Sequence, residues 1–272
     1  MYLHAATETN VSLLLTAGDP APVTILNALG SSNAVIVCDH GGDAIPEKLD
    51  GLGLDAAQRA RHIAWDIGAA AVARMLSHYL DAPAFLAGFS RLVIDLNRPS
   101  DDLTSIREIS DGIVVPGNRN LSPADVACRI AEIFDPYHDA VRSAVERAEQ
   151  SVVAPALISV HSFTPVMKGY ERPWHIGVLF GPDKRIAVPL IQSLSRNPEV
   201  CVGENKPYSG YDLYGHTVET HAMPKGYPNI LFEIRQDLID TRHGAEHWAE
   251  VIASSLKDVL AKPALYQPFT MD

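Results

Sequence analysis

Cysteine is nearly absent: Cys38, Cys128 and Cys201 are the only three in 272 residues, and none belongs to a Cys-x-x-Cys pair. That disfavours a disulfide framework and a thiolate zinc site. Cys38, inside an apolar run, reads as a small buried hydrophobe. Lysine and arginine are also scarce, 22 against 33 aspartates and glutamates, for a formal net charge of -11. Phosphate binding is driven by clustered cations, and with no basic stripe in view nucleic acid is not an expected partner. No run of about 20 apolar residues exists to span a bilayer. The opening MYLHAATETNVSLLL lacks a basic segment followed by a long apolar stretch and a small-residue cleavage site. The expected compartment is therefore the cytoplasm, with no membrane partner. A Gly-x-Ser-x-Gly elbow is missing and the cysteines have no matching context, which weighs against serine and cysteine hydrolases.

What remains is ordinary globular composition, 47% apolar and 20% charged, long enough for one large domain spanning residues 1–272. Apolar runs of strand length alternate with stretches of helical period. That pattern predicts an α/β domain with a mostly parallel mixed central sheet and helices on both faces. Strands are expected at 33–38, 83–86, 92–95, 155–161, 175–180 and 229–234. Helices are expected at 55–80, at 122–150 with an interruption at Pro136, at 183–196 despite Pro189, and at 241–262. The Gly-, Pro-, Tyr- and His-rich segment 204–227 reads as an ordered functional loop.

Polar residues gather where the apolar runs stop: His40 and Asp43, Asn97 and Arg98, His161, and Glu233. Ligands bind at the carboxyl ends of strands in open parallel sheets, so these segments can share one cleft. Zinc favours imidazole nitrogen and carboxylate oxygen, and a catalytic site keeps three protein ligands with one open position. His40 and Asp43, in His-Gly-Gly-Asp, can be presented by one tight turn, and His161 supplies a third ligand from a distant strand. Asp39 is the alternative carboxylate. Glu233, flanked by Phe232 and Ile234, is the candidate general base, because an unpaired buried charge is otherwise costly. Each residue also has a plainer reading: hydrogen-bonding histidines, a turn-stabilising Asp43, Glu233 paired with Arg235, and Arg98 bridging Asp101 or Asp102. One shared site explains all of them together.

Four segments resemble the zinc carboxypeptidase superfamily. Ser159-Val160-His161-Ser162-Phe163 is similar to its strand carrying a metal ligand, and Phe232-Glu233-Ile234-Arg235 to its strand carrying the catalytic glutamate. His40-Gly-Gly-Asp43 is similar to its His-x-x-Glu with Asp for Glu, and Asn97-Arg98 resembles its pair that holds a substrate carboxylate. The closer resemblance is to the N-formylglutamate amidohydrolase family. It is carried by Cys38-Asp39-His40-Gly41-Gly42 with Ile45-Pro46, His62 to Gly68, Ser90 to Arg98, Ser110-Asp111-Gly112 and Pro116-Gly117-Asn118. Pro136-Tyr137-His138, His161-Ser162-Phe163, Gly215-His216-Thr217 and Glu233 to Asp237 complete it. The resemblance implies a zinc-carboxypeptidase-like fold and hydrolysis of a small N-formyl amide of an acidic amino acid.

On that reading one Zn2+ sits on His40, Asp43 and His161, with Glu233 as base and Arg91 as the cation for the oxyanion or for substrate binding. Asn97 and Arg98 clamp a substrate carboxylate, His216 and His221 contact substrate, and Asp66 orients a ligand histidine. The competing readings are another zinc N-acyl amino acid deacylase or carboxypeptidase-like hydrolase, and a non-catalytic binding protein on the same fold.

Overall fold

Fully buried runs of β-branched and small residues make the centre of the sheet. The computed structural model describes residues 13–212 and 215–270. Seven strands pair in it: β1 (Val23–Leu26), β2 (Ala34–Cys38), β3 (Ala84–Ala87), β4 (Ala156–Phe163), β5 (Ile176–Leu179), β6 (Val202–Glu204) and β7 (Asn229–Arg235). Their spatial order is β1-β3-β2-β4-β7-β5-β6. The four strands β3, β2, β4 and β7 run parallel, while β1 and β5 are antiparallel to their neighbours β3 and β7. Two small hairpins, 109–114 and 166–171, stand outside this sheet.

Parallel strands are covered on both faces, so their sequences run apolar without alternation. On one face Ile36, Ile158, Val160 and Phe232 pack against α1 (Ala69–Tyr79), α3 (Ala187–Leu194) and α5 (Arg242–Leu260). On the other, Val35, Val37, Leu157 and Leu231 meet Tyr137, Val141 and Val145 of α2 (Asp135–Ala148). Period-two geometry then puts Leu157, Ser159 and His161 on that second face, and likewise Leu231 and Glu233. Apolar at the bottom, the two strands turn polar at their carboxyl ends. In the parallel β4–β7 register, Glu233 lies opposite His161. Among the described residues no helix is long and apolar enough to cross a membrane.

Two expectations need correction. The helix expected over 55–80 is a single turn at Ala56–Arg59, an irregular segment, and then α1. Gly68 forces the break: its φ is +80°, and a Cβ there would lie 2.2 Å from the Ile239 carbonyl oxygen. The run 92–95 is a turn, not a strand. Its residues Leu92, Val93 and Ile94 are buried, but the Leu92 carbonyl accepts from Asn118 and the Val93 carbonyl from Arg129, so side chains replace a ladder. The interruption expected at Pro136 is present: the α-helix Pro123–Arg129 gives way to a wider π-turn at Ile130–Phe134 before α2 begins at Asp135. Strands β1 and β6 and both hairpins went unpredicted. The 204–227 segment carries the short helix α4 (His216–His221); Tyr214 within it, and the N-terminal MYLHAATETNVS, lie outside the described residues.

Candidate active site

His40 follows β2 by two residues, His161 belongs to β4, and both rings are nearly inaccessible. Their centroids are 4.9 Å apart, edge to face. His40 Nε2 meets Asp95 Oδ1 at 2.6 Å, and His161 Nε2 faces Asp39 Oδ2 at 3.3 Å. Each ring thus has a carboxylate behind one nitrogen. The other nitrogens converge: His161 Nδ1 lies 2.8 Å and His40 Nδ1 3.5 Å from the same oxygen, Asp66 Oδ2. The donor atoms of His40, Asp66 and His161 all fall within 4.8 Å of one another.

The irregular segment before α1 exists to deliver Asp66. Its backbone N–H donates to the His40 carbonyl at 2.9 Å, and the Ala64 carbonyl accepts from the Ser90 hydroxyl and the Arg91 amide. The turn at 90–98 in its place delivers Arg91 and Asp95. The Arg91 guanidinium donates to Asp95 Oδ2 at 2.6 Å and stands 3.7 Å from Asp66 Oδ1. Asp39 Oδ1 accepts from the Tyr137 hydroxyl at 2.6 Å and from Thr217 Oγ1 at 2.9 Å, which ties α2 and α4 to the site.

Four carboxylates, Asp39, Asp66, Asp95 and Glu233, are buried here. Burial alone would push all of them up. For Asp39 the opposing pull of His161, His40 and Tyr137 wins and holds it at about 2. His40 and His161 likewise outweigh burial at Asp66, and Arg91 with His40 outweighs it at Asp95, so both stay well below the usual range. In return these carboxylates raise both imidazoles against their own burial. Glu233 goes the other way: burial, reinforced by Asp66, pushes it up to about 7. Among the described residues, four buried polar atoms of the cluster find no hydrogen-bond partner: Asp39 Oδ2, His40 Nδ1, His161 Nε2 and Glu233 Oε2.

The structure therefore gathers His40, His161, Glu233 and Arg91 into one site. Asp43 is exposed and outside the cluster of donor atoms. Glu233 does not pair with Arg235, which binds Asp237 at 2.8 Å instead. Asn97 Oδ1 accepts from the Thr217 amide at 3.1 Å, and its amide group packs on Gly215 at the start of α4. The half-buried Arg98 guanidinium makes no side-chain hydrogen bond or close ion pair among the described residues and lies within electrostatic reach of Asp102. Asp95, Tyr137 and Thr217 were not foreseen as parts of the site; the one signal for Asp95 was a charge inside an apolar run.

His216 and His221 join His138 in a second histidine group. His138 Nε2 donates to the Leu96 carbonyl at 2.9 Å, so its Nδ1 accepts from His221 Nε2 at 3.0 Å. Burial lowers both His138 and His221 from 6.5 to about 4. The unfolded chain takes up these protons near pH 6.5, while the folded chain resists until about pH 4. Stability from the neutral pair is thus complete above 6.5 and drains away as pH falls through that window. A loss on the order of 2–3 kcal/mol is expected. Urea unfolding at pH 7.5 and pH 5 checks it, with a smaller pH dependence expected in His221→Gln.

Fold and site together define an open α/β sheet protein with a buried histidine–carboxylate centre at the carboxyl ends of its parallel strands. The profile of the N-formylglutamate amidohydrolase family matches residues 32–240, and the chain belongs to that family of amidohydrolases. Among solved structures it is similar to the product of gene Atu2144 of Agrobacterium tumefaciens. The two share 33% identity over 91% of this chain and 98% of that one, with a TM-score of 0.86. It also shares its fold with the N-formylglutamate amidohydrolase of Ralstonia eutropha JMP134, at 20% identity over 89% and 97% of the two chains and a TM-score of 0.68. No curated protein sequence matches the chain.

Proposed function

We propose that the protein is a metal-dependent hydrolase of the amide bond in a small N-acyl acidic amino acid, N-formylglutamate first. One observation carries this reading. Two imidazoles turn their Nδ1 atoms onto Asp66 while Asp95 and Asp39 stand behind their Nε2 atoms. Carboxylates behind the distal nitrogen fix the ring and tautomer of a metal-binding histidine. Family membership supports the substrate class.

The residues fit one divalent ion, zinc first. Two imidazole nitrogens and a carboxylate are the donors a catalytic zinc takes. His40 Nδ1 is buried without a hydrogen-bond partner among the described residues, and four buried carboxylates face one arginine and two histidines. His40 and His161 through Nδ1, with the Asp66 carboxylate, would hold the ion; Asp66 takes the place expected of Asp43. When bound, such an ion supplies Lewis acidity toward a carbonyl and lowers the pKa of water.

The remaining work falls to the chain. Glu233, at about 7, is matched to taking a proton from the attacking water and returning it to the leaving amine. Arg91, anchored on Asp95, brings positive charge beside Asp66 where a developing oxyanion needs it. Arg98, without a close ion pair among the described residues, binds a substrate carboxylate with two parallel hydrogen bonds, and Asn97 sets the height of α4 beside it. His216, less buried than His221, is the histidine of that helix that reaches substrate.

The test is metal content of the purified protein, paired with N-formylglutamate hydrolysis before and after chelation and zinc add-back. About one ion per chain is expected, with activity lost on chelation and restored by zinc. Turnover of acetyl or peptidyl substrates alone would move the reading to another deacylase or a carboxypeptidase-like hydrolase. Protein that takes up no metal after reconstitution would sink the mechanism and leave a binding protein on this fold.

A further inference from the structure

Two arginines are almost completely buried without a carboxylate partner among the described residues, and they are held very differently. Arg129, 1% exposed, is saturated. Its guanidinium donates to the Val93 carbonyl at 2.8 Å, to Asn118 Oδ1 at 2.7 Å and to the Gly117 carbonyl at 3.1 Å. Arg172, 8% exposed, has only long contacts, at 3.5 Å to the Thr164 carbonyl and 3.4 Å to the Tyr208 hydroxyl. A guanidinium stays charged in any protein, and a buried charge so weakly bonded needs a counter-ion. Among the described residues the fold provides none.

The location says what the counter-ion is. The Arg172 guanidinium lies between two aromatic faces, 5.7 Å from the Phe163 ring and 5.2 Å from that of Tyr208. Phe163 is two residues beyond His161 on β4, and the Arg172 carbonyl accepts from Arg235, two residues beyond Glu233 on β7. Arg172 therefore caps the carboxyl ends of the two strands that carry the candidate base and a candidate ligand. Tyr208, 43% exposed, covers it from solvent and lies within electrostatic reach of Glu233 and Asp66. The terminal guanidinium nitrogens meet only the distant, neutral acceptors of Thr164 and Tyr208, which the two oxygens of a carboxylate would replace with shorter, charge-assisted bonds.

We propose that Arg172, screened by Tyr208, is the subsite that binds the side-chain carboxylate of the substrate and sets the preference for acidic over neutral N-acyl amino acids. This rests on the amide-hydrolase reading above, with Arg98 taking the other carboxylate.

The experiment compares kcat/KM for N-formylglutamate and its neutral isostere N-formylglutamine in wild type, Arg172→Met and Arg172→Lys, with thermal melting to confirm folding. Wild type is expected to prefer the acid by about 100-fold, because a site built for a charged partner rejects its neutral analogue strongly. Arg172→Met should lose about 100-fold on the acid, mainly in KM, and less than tenfold on the amide. Arg172→Lys should recover part of the preference. Equal losses on both substrates, or no loss on either, overturn the assignment. If wild type hydrolyses neither compound, the amide-hydrolase reading fails, and calorimetric binding of glutarate decides the subsite alone. Weaker binding in Arg172→Met by tenfold or more, with butyrate unaffected, upholds it; identical glutarate binding by both proteins overturns it.

Discussion

Glu233→Gln is expected to lower kcat by roughly 10³-fold or more while leaving a folded protein that still binds its metal. General acid–base catalysis by a positioned side chain contributes about 10² to 10⁴-fold, and the amide can neither accept the proton from water nor return it to the amine. The isostere fills the same volume on β7, opposite His161. It also removes a liability. Glu233 is 8% exposed and its Oε2 finds no hydrogen-bond partner among the described residues, so the carboxylate costs the fold free energy that a neutral amide does not. Stability in urea is therefore expected to match or exceed that of wild type. A residue kept for structure would behave in the opposite way, losing stability and activity together. The informative comparison is steady-state kcat beside the unfolding midpoint and metal content of the same preparation. Full activity in Glu233→Gln would remove the glutamate from the chemistry whatever the metal does.

The strands that frame this site were legible because burial on both faces makes their sequences continuous. Ala34–Cys38, Ala156–Phe163, Ile176–Leu179 and Asn229–Arg235 each read as an apolar run. His40, His161 and Glu233 stood out as polar groups at the ends of such runs. Asp66 did not, because Ile63, Ile67 and Ala70 around it satisfy helical spacing. What breaks that helix is contact between Gly68 and Ile239, 171 residues further on, which no local pattern encodes. Asp95 was hidden for a related reason. Leu-Val-Ile-Asp has the composition of a strand, and only the distant Asn118 and Arg129, by taking the Leu92 and Val93 carbonyls, let it form a turn instead. Arg172 had no signal in sequence, since its position over Phe163 depends on how the 166–171 hairpin folds back. Edge strands β1 and β6 are short and partly exposed, so the apolar runs that mark the central strands are missing there.

Asp66→Asn is expected to abolish metal retention, while Asp43→Asn leaves it intact. The spacing of His-Gly-Gly-Asp favours Asp43 as the third donor, but the geometry favours Asp66. Its Oδ2 is the oxygen on which both Nδ1 atoms converge, and its backbone amide is fastened to the His40 carbonyl. Asp43 is exposed on the far side of two glycines. Removing a carboxylate that merely orients a ligand histidine costs 10- to 100-fold in metal affinity, so loss of a direct ligand should exceed about 100-fold. The asparagine is nearly isosteric and can still accept from the Ser162 amide, now 3.3 Å from Asp66 Oδ2, so a collapse of the site is not the expected cause. Zinc affinity measured by competition with a chromophoric chelator, on wild type and both variants, separates the two donor sets. Retention of zinc by Asp66→Asn and its loss in Asp43→Asn would restore the sequence motif as the ligand set. It would also require the 41–44 turn to swing Asp43 inward when metal binds, because in its present position the side chain points to solvent.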